Sequence, residues 1–383
     1  MVRYTLKKKY NARNEIYTTP QKDGCRMQAE FETQSATWLG WPSNNGTFRI
    51  SQAQRTIENV VKHICKYQKV YIVTNPSTWS SAERIFKSYN NVFVTELLTN
   101  DLWLRDIAPT FLISENKKSK FMSAVSWKFN GWGKPQTIEH DKDQLVALKI
   151  SNFLGIHLYN KNDFVCEGGS YSVDGQGTLI TTEECLLNPN RNSKLSKNEI
   201  EDVLRKYLNV KKIIWIPYGA TEDEDTDGHV DNMCVFVGVG KLMLSWPKGC
   251  GTLDCEDKDQ EKRSLAAMTA IENSTDVNGK PFKVYKIPHP PVLKYTQAEI
   301  NTLPKMKGSY VRKAGTRMAA SHVNMIITNK IVVVPTFNCE SDKEAVKIVS
   351  EIFPDRKVVG VYAREILLGG GNIHCMSQQE PCI

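Results

Sequence analysis

Apolar residues recur along this chain with two different periods. In 77–89, 141–154, 196–208, 257–273 and 342–353 they return every three to four positions, which aligns them on one side of a helix. Several of these stretches open with Ser or Asp where an N-cap belongs. A short run of β-branched or aromatic residues follows each: VFVTE (92–96), IHLYN (156–160), KKIIWIP (211–217), FKVYKIP (282–288) and KVVGVYA (357–363), all predicted strands. Next comes a polar motif, in order LWLRDIAP, CEGGSY, DGHVDN, ASHVN and GGGNIHC. The first four lead into paired strands such as MCVFVGVGKLMLSW, with a tight Gly turn. The fifth lacks a second strand, and ATWLGWP (36–42) is expected to supply it, closing the two ends of the chain on each other. An additional helix and strand, 51–67 and 69–74, are predicted between that segment and the first unit.

The order of elements thus repeats more clearly than the residues do. Asp106 and Glu167 are 61 residues apart, and Glu167 and His229 are 62 apart, so successive units carry a polar residue at the same place. Five units about an axis would bring those places together. The fourth unit is expanded by a loop at about 289–315, which offsets its motif, His322 and Asn324.

Composition narrows the class. Of 383 residues, 40% are hydrophobic, 24% charged and 9% aromatic, which suits a folded globular protein rather than a disordered one. Lys and Arg outnumber the acids 50 to 42, a net charge of +8, but the basic residues are scattered and only Lys7 to Lys9 cluster. No nucleic-acid contact is expected from that pattern. The polar, basic residues 1–24 lack the apolar core of a signal peptide, and no apolar run spans a membrane, so a reducing, cytoplasmic setting is expected for the ten cysteines. They contain no C-x-x-C, and Cys250 with Cys255 has no second pair at zinc spacing; most are expected to be buried.

The residues that five converging motifs would collect are Asp106, Glu167, His229, Asp231 and Cys375. A thiolate attacks electrophilic carbon well, but near neutral pH an ordinary thiol is mostly protonated; a pKa lower by about 1.5 would make most of it reactive. Gly369 to Gly371 allow close backbone approach beside it. Taken singly, Cys375 also fits a buried structural thiol, and His229 a satisfied core histidine. On an extended strand His229 and Asp231 would share one face, while His374 would alternate away from Cys375 and serve structure. A metal held by His229, Asp231 and Cys234 is a weaker alternative, since the spacing suits no common zinc site. Three carboxylates around a thiolate call for a strongly cationic ligand, and a guanidinium pairs with them in planar, two-bonded fashion. The acidic run TEDEDTDGHVD (221–231) adds Asp225, placed beside His229; each of its acids also fits a solvated loop. Neither a phosphate loop nor the zinc nucleobase deaminase pattern is present.

From about Met27 to Pro381 the chain closely resembles the agmatine deiminases of the pentein, or guanidino-group-modifying, superfamily, in the Porphyromonas-type peptidylarginine deiminase family. The matching stretches are MQAEFETQSATWLGWP (27–42), NDLWLRDIAPTF (100–111), FNGWG (129–133), CEGGSYSVDGQGTLITTEECLLNPNRN (166–192), EDTDGHVDNM (224–233), AGTRMAASHVN (314–324) and GGGNIHCMSQQEP (369–381). The resemblance implies an α/β fold, a five-bladed propeller of pseudo-fivefold repeats with the site on its axis. It implies one catalytic domain over 25–383, leaving 1–24 as a basic arm, expected to be flexible. It implies hydrolysis of agmatine to N-carbamoylputrescine and ammonia through an amidino-cysteine at Cys375, in putrescine synthesis, without cofactor or metal. His229 would act as acid and then base, Glu167 would orient it and share the guanidinium, and Asp106 and Asp231 would hold the guanidinium nitrogens. Asp225 would contact substrate at the far end, where an agmatine site wants acid, and Trp103 and Trp132 would line the methylene chain. A homodimer is the implied assembly. Asp227 stands where the family commonly has Asn, so close to His229 that it is expected to shift the histidine's titration. Two alternatives are a hydrolase of arginine or peptidyl-arginine and a non-catalytic binding module; the retained site residues speak against the second.

Overall fold

The computed structural model describes residues 4–5, 18–43, 46–114, 120–303 and 310–383. Most of the expected arm, Lys7 to Lys9 included, lies outside the described residues; Tyr4 and Thr5 run parallel to Thr95 and Glu96 at a sheet edge.

All five amphipathic stretches form helices: Pro76–Phe86, Val146–Leu154 after a 3-10 turn, Lys197–Leu208, Lys258–Glu272 and Ser341–Ile352. Their ends follow from sequence. Ser196 and Glu199 form a reciprocal capping box, and the Asp257 side chain accepts from the backbone N–H of Gln260, each cap worth about 1 kcal/mol. Gly155, with φ +66°, ends Val146–Leu154 in the left-handed conformation that glycine adopts without strain.

Four sheets share one plan: two antiparallel strands, then a helical crossover to a strand parallel to the second. They are Thr110–Ser114, Met122–Lys128, His157–Val165, with Cys25–Met27 added at the edge; Tyr171–Val173, Thr178–Thr182, Lys212–Ile216; Cys234–Gly238, Lys241–Trp246, Lys283–Pro288; and Ile326–Ile327, Ile331–Thr336, Lys357–Tyr362. The fifth draws on both chain ends. Ser377–Pro381 pairs antiparallel with Gln34–Gly40, which is parallel to Lys69–Thr74 and, through it, to Val92–Glu96. The Trp38 indole locks this closure by donating to Glu380 Oε2 at 2.8 Å and stacking on Tyr71 at 4.3 Å.

This sheet corrects one expectation. Judged by the plan of the other four, helix Ile50–Ile64 with strand Lys69–Thr74 is the regular crossover, and Pro76–Phe86 with Val92–Glu96 is the addition. Helix Ile50–Ile64 buries Ala53, Ile57, Val60, Val61 and Ile64, one stripe facing the core that Val70, Ile72 and Val94 also line. The fold is mixed α/β, and among the described residues no helix is long and apolar enough to cross a membrane.

Candidate active site

Each polar motif lies just before the first strand of its hairpin, in a short helical turn or loop. Hydrogen bonds tie the motifs to one another. Gly169 N donates to Asp106 Oδ1 (3.0 Å), Thr182 Oγ1 to Gly228 O (2.7 Å), Ser321 Oγ to Asn232 O (2.7 Å), His374 N to Asn324 Oδ1 (3.0 Å) and Arg105 N to Cys375 O (3.0 Å). The five sheets therefore deliver their motifs to a common place, where Cys375, Asp106, Trp103, Trp132 and Asp225 line a cleft of about 530 Å³ that is partly open to solvent.

Cys375 is buried in a turn ahead of strand Ser377–Pro381, not on the strand. Asn324 Nδ2 donates to its sulfur at 3.3 Å, and Asp231 Oδ2 lies 3.9 Å from it. Burial, with the Asp231 and Asp106 carboxylates adding to it, pushes the thiol well above its ordinary range. An unliganded cleft thus holds the thiol protonated, the reverse of the lowered pKa that nucleophilic chemistry asks for.

His229 departs from its expected backbone. It caps the 3-10 turn Val230–Asn232 with φ −54° and ψ 141°, so it and Asp231 do not share the face of a strand. Asp223 imposes the turn: its carboxylate accepts from His229 N and from Asn232 Nδ2. The ring lies with Nδ1 3.8 Å from Asp106 Oδ1, and Nε2 is buried without a hydrogen-bond partner. Burial opposes a charge on this ring, but Asp106, Cys185 and Glu167 outweigh it and hold His229 above the usual histidine range. Asp106 is itself raised by burial, which His229 only partly offsets, and takes a 2.9 Å bond from Trp132 Nε1.

Glu167 stands behind His229 rather than in the cleft. Fully buried, it accepts from Arg191 Nε at 2.7 Å through Oε1 and leaves Oε2 unpartnered. Asp227 pairs with the same arginine at 2.8 Å, so its carboxylate is taken by Arg191, and it is absent from the leading influences on His229 that were expected to include it. Two groups of metal-ligand type lie within 4.8 Å among the described residues, Glu167–Cys185–His229 and His322–Cys339–Asp342; Cys234 belongs to neither.

Asp231 corrects the reading of His374. That ring, expected to point away and serve structure, bridges Asp231 Oδ2 (2.8 Å) and Glu30 Oε2 (2.7 Å). Burial and Arg105 oppose its charge, yet the two carboxylates prevail and raise it. Asp231 keeps Oδ1 buried and unpartnered.

At the outer end Asp225, expected to contact substrate, already has a cation partner. Arg312 grips it with two bonds of 2.9 and 2.6 Å, donates also to Gly369 O, and lies over the Tyr310 ring at 4.8 Å. Gly370, at φ +103°, passes so near that a Cβ there would collide with both Asp225 and Arg312. Gly370→Ala is expected to lower kcat/KM by about tenfold or more by dislodging this pair, with the melting temperature reporting that the fold persists. Asp101, with Thr47 donating to its Oδ2 at 3.3 Å, completes this end. Asp101, Arg312, Asp223 and Arg191 were missed as site residues; the quoted stretches NDLWLRD and NPNRN were the only signal for two of them.

The profile of the family described as Porphyromonas-type peptidyl-arginine deiminase matches residues 26–381. The chain is 40% identical to the agmatine deiminase of Pseudomonas fluorescens over 96% of its own length and 98% of that protein's. It is 41% identical to the Medicago truncatula agmatine deiminase, over 96% and 99%. The solved agmatine deiminase of Enterococcus faecalis superposes with a TM-score of 0.89 at 36% identity, covering 96% of this chain and 99% of that one.

Proposed function

The chain belongs to the Porphyromonas-type peptidyl-arginine deiminase family, and from that premise we propose that it hydrolyses agmatine to N-carbamoylputrescine and ammonia, with Cys375 as nucleophile. The observation that carries this reading is a buried carboxylate oxygen, Asp231 Oδ1, left without a donor beside a thiol. The other oxygen bonds His374, and a buried acceptor left open costs about 1–3 kcal/mol, which a cation seated against it recovers. Asp106 acts on the same thiol as Asp231, and the two carboxylates suit a planar guanidinium whose carbon faces Cys375 Sγ.

The thiol's proton then becomes easier to remove. Asp231 and Asp106 raise the Cys375 pKa, so a guanidinium bound between them cancels the charges that oppose a thiolate. Once the thiol has released its proton to solvent, the thiolate attacks the guanidinium carbon to give a neutral tetrahedral adduct; His229, held protonated by its carboxylates, gives its proton to the departing ammonia. The neutral imidazole next takes a proton from water, which adds to the amidino carbon. Collapse breaks the C–S bond, the thiolate recovers a proton, and the carbamoyl product leaves. Glu167, anchored by Arg191, stabilises the imidazolium from behind.

Trp103 and Trp132 are assigned the walls of the methylene channel, and the five sheets are read as five blades about the axis on which the motifs meet. The product places the enzyme on a route to putrescine. Purified protein incubated with agmatine, arginine and a peptidyl-arginine substrate is expected to release ammonia and N-carbamoylputrescine from agmatine in strong preference. Turnover of arginine alone, or of none, refutes the proposal.

A further inference from the structure

Agmatine and arginine share the guanidinium and differ at the other end, where agmatine carries an ammonium and arginine a zwitterion. Discrimination must come from the charges at the outer end of the cleft. Four aspartates line it. Asp106 is at the guanidinium end, felt directly by Cys375. Asp223 is consumed by Thr226, His229 N and Asn232. Asp225 is matched charge for charge by Arg312 in a two-bonded pair. Among the described residues, Asp101 alone at the outer end has no cation partner: Oδ1 accepts from Leu102 N at 2.8 Å, Oδ2 accepts from Thr47 at 3.3 Å, and Arg312, which it feels, is already bound to Asp225. Asp101, Asp225 and Arg312, the charged side chains described at the outer end, together carry one net negative charge. That complements an ammonium and offers nothing to a zwitterion.

Resting on the agmatine reading above, we propose that Asp101, not Asp225, accepts the substrate's terminal ammonium and sets specificity, while the Arg312–Asp225 pair forms a neutral wall beside it. The surroundings support this. Burial pushes Asp101 up to about 6, the mark of a carboxylate that gains from an incoming cation. Its position is fixed from behind by Asp143, whose Oδ1 accepts from Asn100 N at 2.7 Å and from Asp101 N at 3.4 Å, so the acid is held by the backbone rather than swinging on a free loop.

The test compares agmatine with n-butylguanidine, which keeps the guanidinium and chain and lacks the amine. Wild type is expected to prefer agmatine. Asp101→Asn removes the charge while its amide oxygen still accepts from Leu102 N and its NH2 donates to the Thr47 hydroxyl; it is expected to reduce that preference by about 10- to 100-fold, chiefly through KM for agmatine, the scale of a hydrogen bond to a charged group. The loss for n-butylguanidine should be at least about fivefold smaller than that for agmatine. A preference unchanged in Asp101→Asn, both substrates falling together, or a preference abolished only by Asp225→Asn overturns the assignment. If wild type turns over neither compound, the deimination reading falls and this one with it, whereas turnover with an intact preference in Asp101→Asn sinks this one alone.

A second measurement needs no variant. In kcat/KM, which reports the free enzyme, the preference for agmatine should fall as pH drops through about 6, because Asp101 takes up a proton and loses its charge. The charged neighbours are Arg312, ionised throughout, its partner Asp225, and Asp143, which burial pushes up to about 8 and which is therefore protonated on both sides of that transition. A preference that does not change between about pH 5 and 7 refutes the proposal.

Discussion

Cys375→Ala is expected to lower agmatine turnover by at least about 10⁴-fold while leaving the melting temperature nearly unchanged. Loss of the sulfur removes the atom that forms the covalent bond, and among the described residues no other thiol lines the cleft to replace it. Little folding energy goes with it: the thiol's partners are one Asn324 contact at 3.3 Å and a carboxylate that opposes its ionisation. Quenched wild-type enzyme should carry on Cys375 the mass of agmatine less ammonia, and the variant should not. The pH dependence follows from the same contacts. A thiol pushed above its ordinary range is protonated near neutral pH, so kcat/KM should rise with increasing pH as thiolate forms. His229 is also raised and must be protonated to expel ammonia, so the falling limb lies above the usual histidine range as well. The optimum for the free enzyme is therefore expected on the alkaline side of neutral. Alkylation of Cys375 by iodoacetamide, slow at pH 7 and faster as pH rises, measures the first limb without substrate. Rapid alkylation at pH 6 would contradict the account.

The elements were legible because burial writes a period into the chain. Helix Lys197–Leu208 shows its apolar stripe and its Ser196 cap in the sequence alone, and the strand Lys357–Tyr362 announces itself as KVVGVY. Pairing was less legible. Two helix–strand pairs precede Asp106, and periodicity ranks them alike; only strand register shows that Lys69–Thr74 joins Gln34–Gly40 while Val92–Glu96 extends the edge. The polar motifs carry no period at all. The extended strand expected around His229 gave way to a turn dictated by Asp223, whose side chain competes for the backbone N–H of His229.

The same limit governs the site. Motif spacing brought Asp106, Glu167 and His229 to notice because they sit at equivalent places in successive units, and Cys375 stood out in the fifth motif, GGGNIHC. Groups that act through one contact left no such trace. Arg312 lies in an expanded loop and meets Asp225 across 87 residues; His374 meets Glu30 across 344. Asp101 stood two positions before Trp103, but its significance depends on which charges the fold sets beside it, which sequence does not report.

The largest effect on stability is expected from Arg191→Met. The guanidinium and the Glu167 carboxylate are both fully buried as side chains, and Arg191 also binds Asp227, Asn190 Oδ1 and Thr226 O. Methionine fills part of the volume but leaves Glu167 as an uncompensated buried carboxylate, a loss of about 3–5 kcal/mol. Chemical denaturation should show this as a lower midpoint. Adding Glu167→Gln to Arg191→Met removes the orphaned charge and should restore a substantial part of the stability, because the cost lies in the unpaired ion rather than in the absent bond. Activity should not follow. Glu167 is one of the charges holding His229 protonated, so the double variant, although folded, should release ammonia slowly and lose the alkaline limb of its pH profile to lower pH. A double variant that regains both stability and turnover would reduce the Arg191–Glu167 pair to a structural tie, with no part in poising the histidine.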